Sequence, residues 1–201
     1  MLTGDDGDRP HSSGSGPRRG EGATPEDVLA FWFAPDNERR WFEADLAFDV
    51  EIAARFGAQV EMARAGHLPP WSASAPGTLA LCLLLDQFPR NLWRGTPRAY
   101  SCDPAARAVA AAAIGAGHDL ALPANRRIFL YLPFEHSEDL ADQERCVALM
   151  RALGDAEHLD WAERHHAVIA RFGRFPHRNA ILGRTSSEEE AWFLTQAGST
   201  F

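Results

Sequence analysis

The chain has 201 residues, 45% of them hydrophobic and 24% charged, with a formal net charge of −8, which fits one soluble domain at roughly 150 residues per domain. The acidic balance argues against general binding to nucleic acid or to an anionic membrane surface. All twenty basic residues are arginine, and this excludes a Schiff-base lysine, a P-loop lysine and a Ser-Lys dyad.

Residues 1–23 consist mainly of Gly, Ser, Pro and charged residues around Leu2. Such a stretch buries too little apolar area to offset its ordering entropy, so a disordered tail is expected there. Residues 1–20 lack the apolar segment of a signal peptide, and no run approaches about 18 apolar residues, so the expectation is a cytoplasmic protein with no membrane partner. Residues 24–201 are expected to form a single domain.

Thr24-Pro25-Glu26-Asp27 carries the signals of a helix start: a cap, a proline suited to the first turn, and acids at the positive end of the dipole. The helix bears Val28, Leu29, Phe31, Trp32 and Phe33 and stops near Pro35. Phe48, Ile52, Phe56 and Val60 recur every fourth residue and predict a second helix from about Leu46 to Arg64, ended by Gly66 and Pro69-Pro70. A third, near Thr78 to Phe88, is apolar nearly all round and therefore central. Asp103-Pro104 opens an Ala-rich fourth helix, closed by Gly115 and Gly117. A fifth spans about Asn125 to Leu132 and a sixth about Glu138 to Leu153. A seventh, about Glu157 to Phe172, presents Trp161, His165, Val168, Ile169 and Phe172. Ser186 or Ser187, with Glu189 or Glu190 three residues on, starts the last. No segment alternates with period two, so the fold class is all-α: about eight antiparallel helices with short connections. Cys82, Cys102 and Cys146 show no Cys-x-x-Cys spacing and read as reduced thiols, two of them in core helices.

The strings LDQFPRN (85–91), GHDLALP (117–123), LPFEHSEDLADQE (132–144) and IARFGRFPHRNAILGR (169–184) resemble a family of uncharacterised bacterial proteins classed as a domain of unknown function. The resemblance runs from about Pro25 to Leu194. It implies an all-helical fold similar to the tetratricopeptide-repeat superfamily, and it brings no established reaction, substrate or catalytic residue. The family usually reads His-Arg-Asp-Ile-Ile where this chain has His165-His166-Ala167-Val168-Ile169. No repeat with a period of about 34 residues is visible, so the superfamily label rests on the resemblance.

Three polar clusters sit at helix ends: Leu85 to Asn91, Pro133 to Glu138, and Arg171 to Asn179. Arginine offers a rigid fork of donors suited to carboxylate or phosphate, so Arg90, Arg174 and Arg178 can converge on an anion. In that reading Asp86 and Glu138 align the arginines, while Asn91, His136, His177 and Asn179 supply hydrogen bonds. His136 and His177 titrate in the range needed for proton transfer. The plainer reading is equally physical, because polar side chains at helix ends also satisfy orphan backbone groups and lock helices together.

Charge is segregated in the last third. Glu135 to Glu163 holds nine acids against two arginines; Arg164 to Ser187 holds five arginines, three histidines and no acid. These runs are either neighbouring surfaces that pair or a cradle for an anion. Glu163 and His166 have a Glu-x-x-His spacing, but the second pair that a di-iron carboxylate bundle needs is missing, and His165 on its apolar stripe reads as a core histidine. No metal or cofactor is expected. GxSxG, HExxH, Walker A and GxGxxG motifs are absent. The leading expectation is a polar pocket for a small anionic molecule, with hydrolysis or group transfer as the reaction class if there is one. The alternative is a tetratricopeptide-like module that binds a protein or peptide. Nucleic-acid binding through Arg164–Arg184 is the weakest reading, and the oligomeric state is not legible.

Overall fold

The computed structural model describes residues 22–200, so nearly all of the tail expected to be disordered lies outside the described residues. Thr24 caps α1 (Pro25–Trp32): its hydroxyl accepts from Asp27 N–H, and the Asp27 carboxylate accepts from Thr24 N–H in return. A short helix unpredicted from the sequence, α2 (Pro35–Glu38), follows, with Asn37 donating to Phe31 O at 2.7 Å. Helix α3 (Leu46–Arg64) has the bounds expected and buries Phe48, Ile52, Phe56 and Val60. Helix α4 (Ala75–Cys82) follows a 3-10 turn at Pro69–Ala73. Gly77 in its first turn must lack a side chain, because a Cβ there would lie 2.1 Å from Trp71 O.

The sequence predicts one α-helix through Thr78 to Phe88. The chain instead opens into a π turn at Leu83–Gln87 before resuming as α5 (Phe88–Leu92). Helix α6 (Asp103–Gly115) packs alanines against α4 and α7, and α7 (Ala124–Glu135) runs one turn further than expected. Helices α8 (Leu140–Leu153) and α9 (Ala156–Phe172) fold back on one another through the left-handed cap at Gly154. A 3-10 turn, Pro176–Arg178, leads to α10 (Glu188–Phe193), which Ser187 caps. Among the described residues every regular element is helical, and no helix is long and apolar enough to cross a membrane.

The main core gathers around Trp32, Phe48, Phe56, Phe88 and Phe129, with the buried leucines of α4 and the π turn at its centre. A smaller cluster of Val168, Ile169 and Phe175 joins Phe172 and Phe193 near the C-terminus. Trp161, expected on the core stripe of α9, is 42% exposed. Ala162 takes the buried position instead, and the indole lies beneath the Arg164 guanidinium. All three cysteines are free and buried.

Candidate functional site

The π turn shapes the first wall of the site. A π turn carries one residue more than an α turn and re-aims the side chains that follow it. Here it places Asp86 and Gln87 side by side at the end of an otherwise apolar segment. Asp86 is fully buried, yet its carboxylate accepts from Gln87 Nε2 at 2.6 Å and from His136 Nδ1 at 2.8 Å, and it pairs with Arg90 Nη1 at 3.2 Å. Burial alone would raise this carboxyl; the Arg90 charge and the hydrogen bonds from His136 and Gln87 outweigh it and hold it far below the usual carboxylate range. An ionised Asp86 puts the imidazole hydrogen of His136 on Nδ1.

Asp103, the first residue of α6, supplies the second buried carboxylate. Its two oxygens accept from Arg90 Nη1 and Nη2 at 3.1 and 3.2 Å, a fork-on-fork pair, and Arg178 Nη1 lies 3.7 Å away. Arg178 is 6% exposed. The 3-10 turn after α9 delivers it, Nη1 donates to His136 O at 3.0 Å, and the guanidinium sits between the rings of Tyr100 and Phe175. Burial and the like charge of Arg90 pull Arg178 down to about 10. Its Nε is buried with no hydrogen-bond acceptor among the described residues.

Three histidines close the arrangement: His136 at the end of α7, His165 within α9, and His177 in the 3-10 turn. The rings of His136 and His165 lie 6.4 Å apart. His165 donates through Nδ1 to Trp161 O at 2.9 Å and lies 3.5 Å from Glu135 Oε1. Burial pushes His165 down to about 3 and, with Arg178, His177 to about 4; burial and Arg90 also lower His136. The three imidazoles are therefore neutral at pH 7. Behind them, burial and the Asp86 charge lift Glu135 to about 8, so this carboxyl carries its proton.

These groups open on a cleft of about 230 Å³ whose lining combines the polar Gln87, Arg90, Asn91, His136, His177 and Arg178 with the aromatic Trp41 and Phe42. Asn91 donates to Asp49, which also holds Arg94 at the rim.

Of the residues singled out in the sequence, Arg90, Asn91, His136, His177 and Arg178 meet at this cleft, with Asp86 directly behind them. Glu138, Arg174 and Asn179 do not line it. Arg174 turns to α10, where it donates to both oxygens of Glu190 at 2.6 and 2.7 Å, and Asn179 binds Ser186 and Glu190. Arg174 and Arg178 are four residues apart, but the chain between them leaves α9 through Gly173 into a 3-10 turn, so helical spacing does not put them on one face. Glu138 aligns neither Arg90 nor Arg178. It accepts from Arg184 at 2.7 and 2.9 Å and from Phe175 N–H at 2.8 Å, tying the loop before α8 to the turn after α9. All five arginines of the basic run lie within 4.0 Å of a carboxylate; Arg184 reaches back to the acidic run, while Arg171 and Arg174 pair with α10.

Sequence reasoning missed Asp103, Gln87, Glu135 and Tyr100 as members of the site. Asp103 carried only the signal of a helix-opening acid, and Glu135 stood in the second cluster with nothing to separate it from its neighbours. Among the described residues no group of three or more His, Cys, Asp or Glu is placed to hold a metal ion. Glu163 pairs with Arg151 on the surface.

Residues 28–198 match the model of a family described as a bacterial protein of unknown function (DUF924). The chain belongs to this family. It is also similar to the solved structure of ATU0120, a protein of unknown function from Agrobacterium tumefaciens. The two are 45% identical, the match covers 85% of this chain and 96% of that one, and the TM-score is 0.80. A comparison with curated proteins gives no match. Neither the family nor the solved relative carries a described activity, so a functional reading of this DUF924 member has to come from its geometry.

Proposed function

We propose that the cleft binds a small anionic metabolite through Arg90 and Arg178, with Gln87, Asn91 and the histidines completing the polar contacts and Trp41 and Phe42 packing its apolar part. The observation that carries this reading is Arg178. It is a buried guanidinium whose Nε has no acceptor among the described residues, set beside a cleft that a second arginine also lines. A buried unsatisfied donor is costly, more so when charged, which fits a guanidinium kept beside the cleft for more than packing. The cleft is smaller than a drug-sized site, which fits a compact organic acid or phosphate ester. If chemistry follows binding, His136 is the group placed for it: Asp86 orients its ring, and proton transfer in hydrolysis or group transfer is the role open to it.

A thermal-shift screen against organic acids, phosphates and nucleotides tests the reading. A ligand at one hundred times its dissociation constant stabilises by about 2.7 kcal/mol, or roughly 5–11 °C for a chain of this size. The shift should vanish in a folded Arg178→Gln variant and persist in Arg174→Ala. A flat response to every anion overturns the reading.

A protein- or peptide-binding module is favoured by a different observation. Leu46 and Val50, one turn apart on α3, are 78% and 60% exposed, and Phe42 in the cleft lining is 66% exposed. That reading predicts one stoichiometric partner in a pull-down, lost in Leu46→Asp.

A further inference from the structure

The charges around the cleft are already balanced. Arg90 and Arg178 are met by Asp86 and Asp103, Arg94 at the rim is held by Asp49, and Glu43 adds another carboxylate to the lining. The histidines contribute no charge. An oxyanion entering this site would leave a net negative charge in a half-enclosed, low-dielectric space, which is unfavourable unless a cation accompanies it. The arginines cannot be that cation, since their charge is matched before the ligand arrives. A proton on an imidazole can.

We propose that the cleft takes up its oxyanion together with one proton, and that the proton resides on Nε2 of His136. The proposal rests on the reading of the cleft as an anion site. His136 is the imidazole whose surroundings suit a cation once the oxyanion is present. Its Nδ1 donates to the buried Asp86 carboxylate, and no protein group among the described residues is bonded to its Nε2. The side chain stays 15% exposed in the cleft lining. Protonated, it bridges Asp86 on one side and the ligand on the other. The remaining groups around it are Arg90 on α5, Asp103 on α6, Glu135 on α7, His165 on α9, and His177 and Arg178 in the 3-10 turn. Of these, Arg90 and Arg178 oppose a cation, Asp103 favours one, and Glu135 is neutral. The oxyanion offsets the two arginines, and that shifts the balance toward imidazolium. His177 stands next to Arg178 in the chain, whose like charge works against a proton there, and Nδ1 of His165 is committed to Trp161 O.

Sulfate is the probe, because it does not titrate in the neutral range and any proton taken up must come to the protein. Titration calorimetry on the full chain, in buffers of different protonation enthalpy between about pH 6 and about pH 8, should show close to one proton taken up per sulfate. Affinity should fall about tenfold per pH unit across the upper part of that range. His136→Asn keeps an N–H toward Asp86 and should bind sulfate with weak pH dependence, whereas His177→Gln should keep the full dependence. If His136→Asn does not fold, NMR of the wild-type His136 ring decides: sulfate must move it from the neutral to the protonated signature. Sulfate bound with buffer-independent heat overturns this inference and leaves the anion site standing. Full pH dependence in His136→Asn, or an unshifted His136 ring, shows that the proton lies elsewhere. Sulfate that fails to bind the folded wild type at either pH, or that binds Arg178→Gln as well as wild type, overturns the anion site itself.

Discussion

Asp86 and His136 stand fifty residues apart in the chain, and their side chains meet at 2.8 Å. Asp86 comes from the π turn that interrupts the central apolar helix, and His136 from the cap of α7. Their contact fixes the imidazole tautomer, and through Arg90 it connects to Asp103 and Arg178. Two arginines, two carboxylates and an imidazole thus form one buried network in which each charge has a partner.

Breaking that network from its carboxylate side is expected to be expensive. Asp86→Asn keeps the shape but leaves Arg90 with one buried counter-charge in place of two, and it turns one of the two oxygens that accept from His136 and Gln87 into a donor. Loss of one partner from a buried ion pair costs about 3–5 kcal/mol. Urea unfolding should show a loss near the low end of that range, since Asp103 still holds Arg90. A variant as stable as wild type would mean that the network is not the anchor described.

Glu135 makes stability fall with rising pH. Unfolded, its carboxyl loses its proton near 4.5, whereas folded it does so near about 8. A group raised in this way contributes fully below 4.5, loses its contribution as pH rises to about 8, and has none left beyond. The span corresponds to at most roughly 5 kcal/mol. Glu135→Gln should match wild type near about pH 4 and exceed its Tm near about pH 8. Parallel Tm curves for the two proteins would refute the assignment.

The acid side has its own slope. His165 and His177 are depressed from 6.5 to about 3 and about 4, so what they contribute is present above 6.5 and is lost as pH falls toward those values. His165→Gln should flatten the acid limb of the Tm–pH curve, and a limb of undiminished steepness would place the effect on other groups.

Arg174 and Arg178 should separate cleanly. Arg174→Ala removes the clamp on Glu190 and loosens α10, so Tm should drop while any anion response of the cleft survives. Arg178→Gln removes a cleft donor and should abolish that response. The reverse pattern would mean that the anion binds by α10.

The thiols should be silent in the native state. Cys82 and Cys146 are pushed well above the usual thiol range by burial, with the nearby carboxyls Asp86 and Glu135 adding to it, and Cys102 is raised in the same direction. A thiol reagent should titrate none of them in native protein and all three in denaturant. Rapid native labelling of any of them would show local opening of its helix.

The helical class and most helix bounds are written in the chain, because these are local properties. Period-four apolar residues in α3, the Thr24 and Ser187 capping boxes and the glycine at the end of α8 act within a few residues of chain. The chain also marks the segments that carry the polar residues of the cleft. Which of them face each other follows from packing between elements distant in the chain. The π turn follows α4, which packs on α1 and α6, and it carries the Asp86 that meets His136. Arg174 and Arg178 look equivalent in sequence, and the turn after Gly173 sends one to Glu190 and the other to Asp103. Asp103 and Glu135 became part of the site through burial beside charges contributed by other helices. The electrostatics that make Glu135 neutral and Asp86 ionised depend on distances across the fold, which no spacing along the chain encodes.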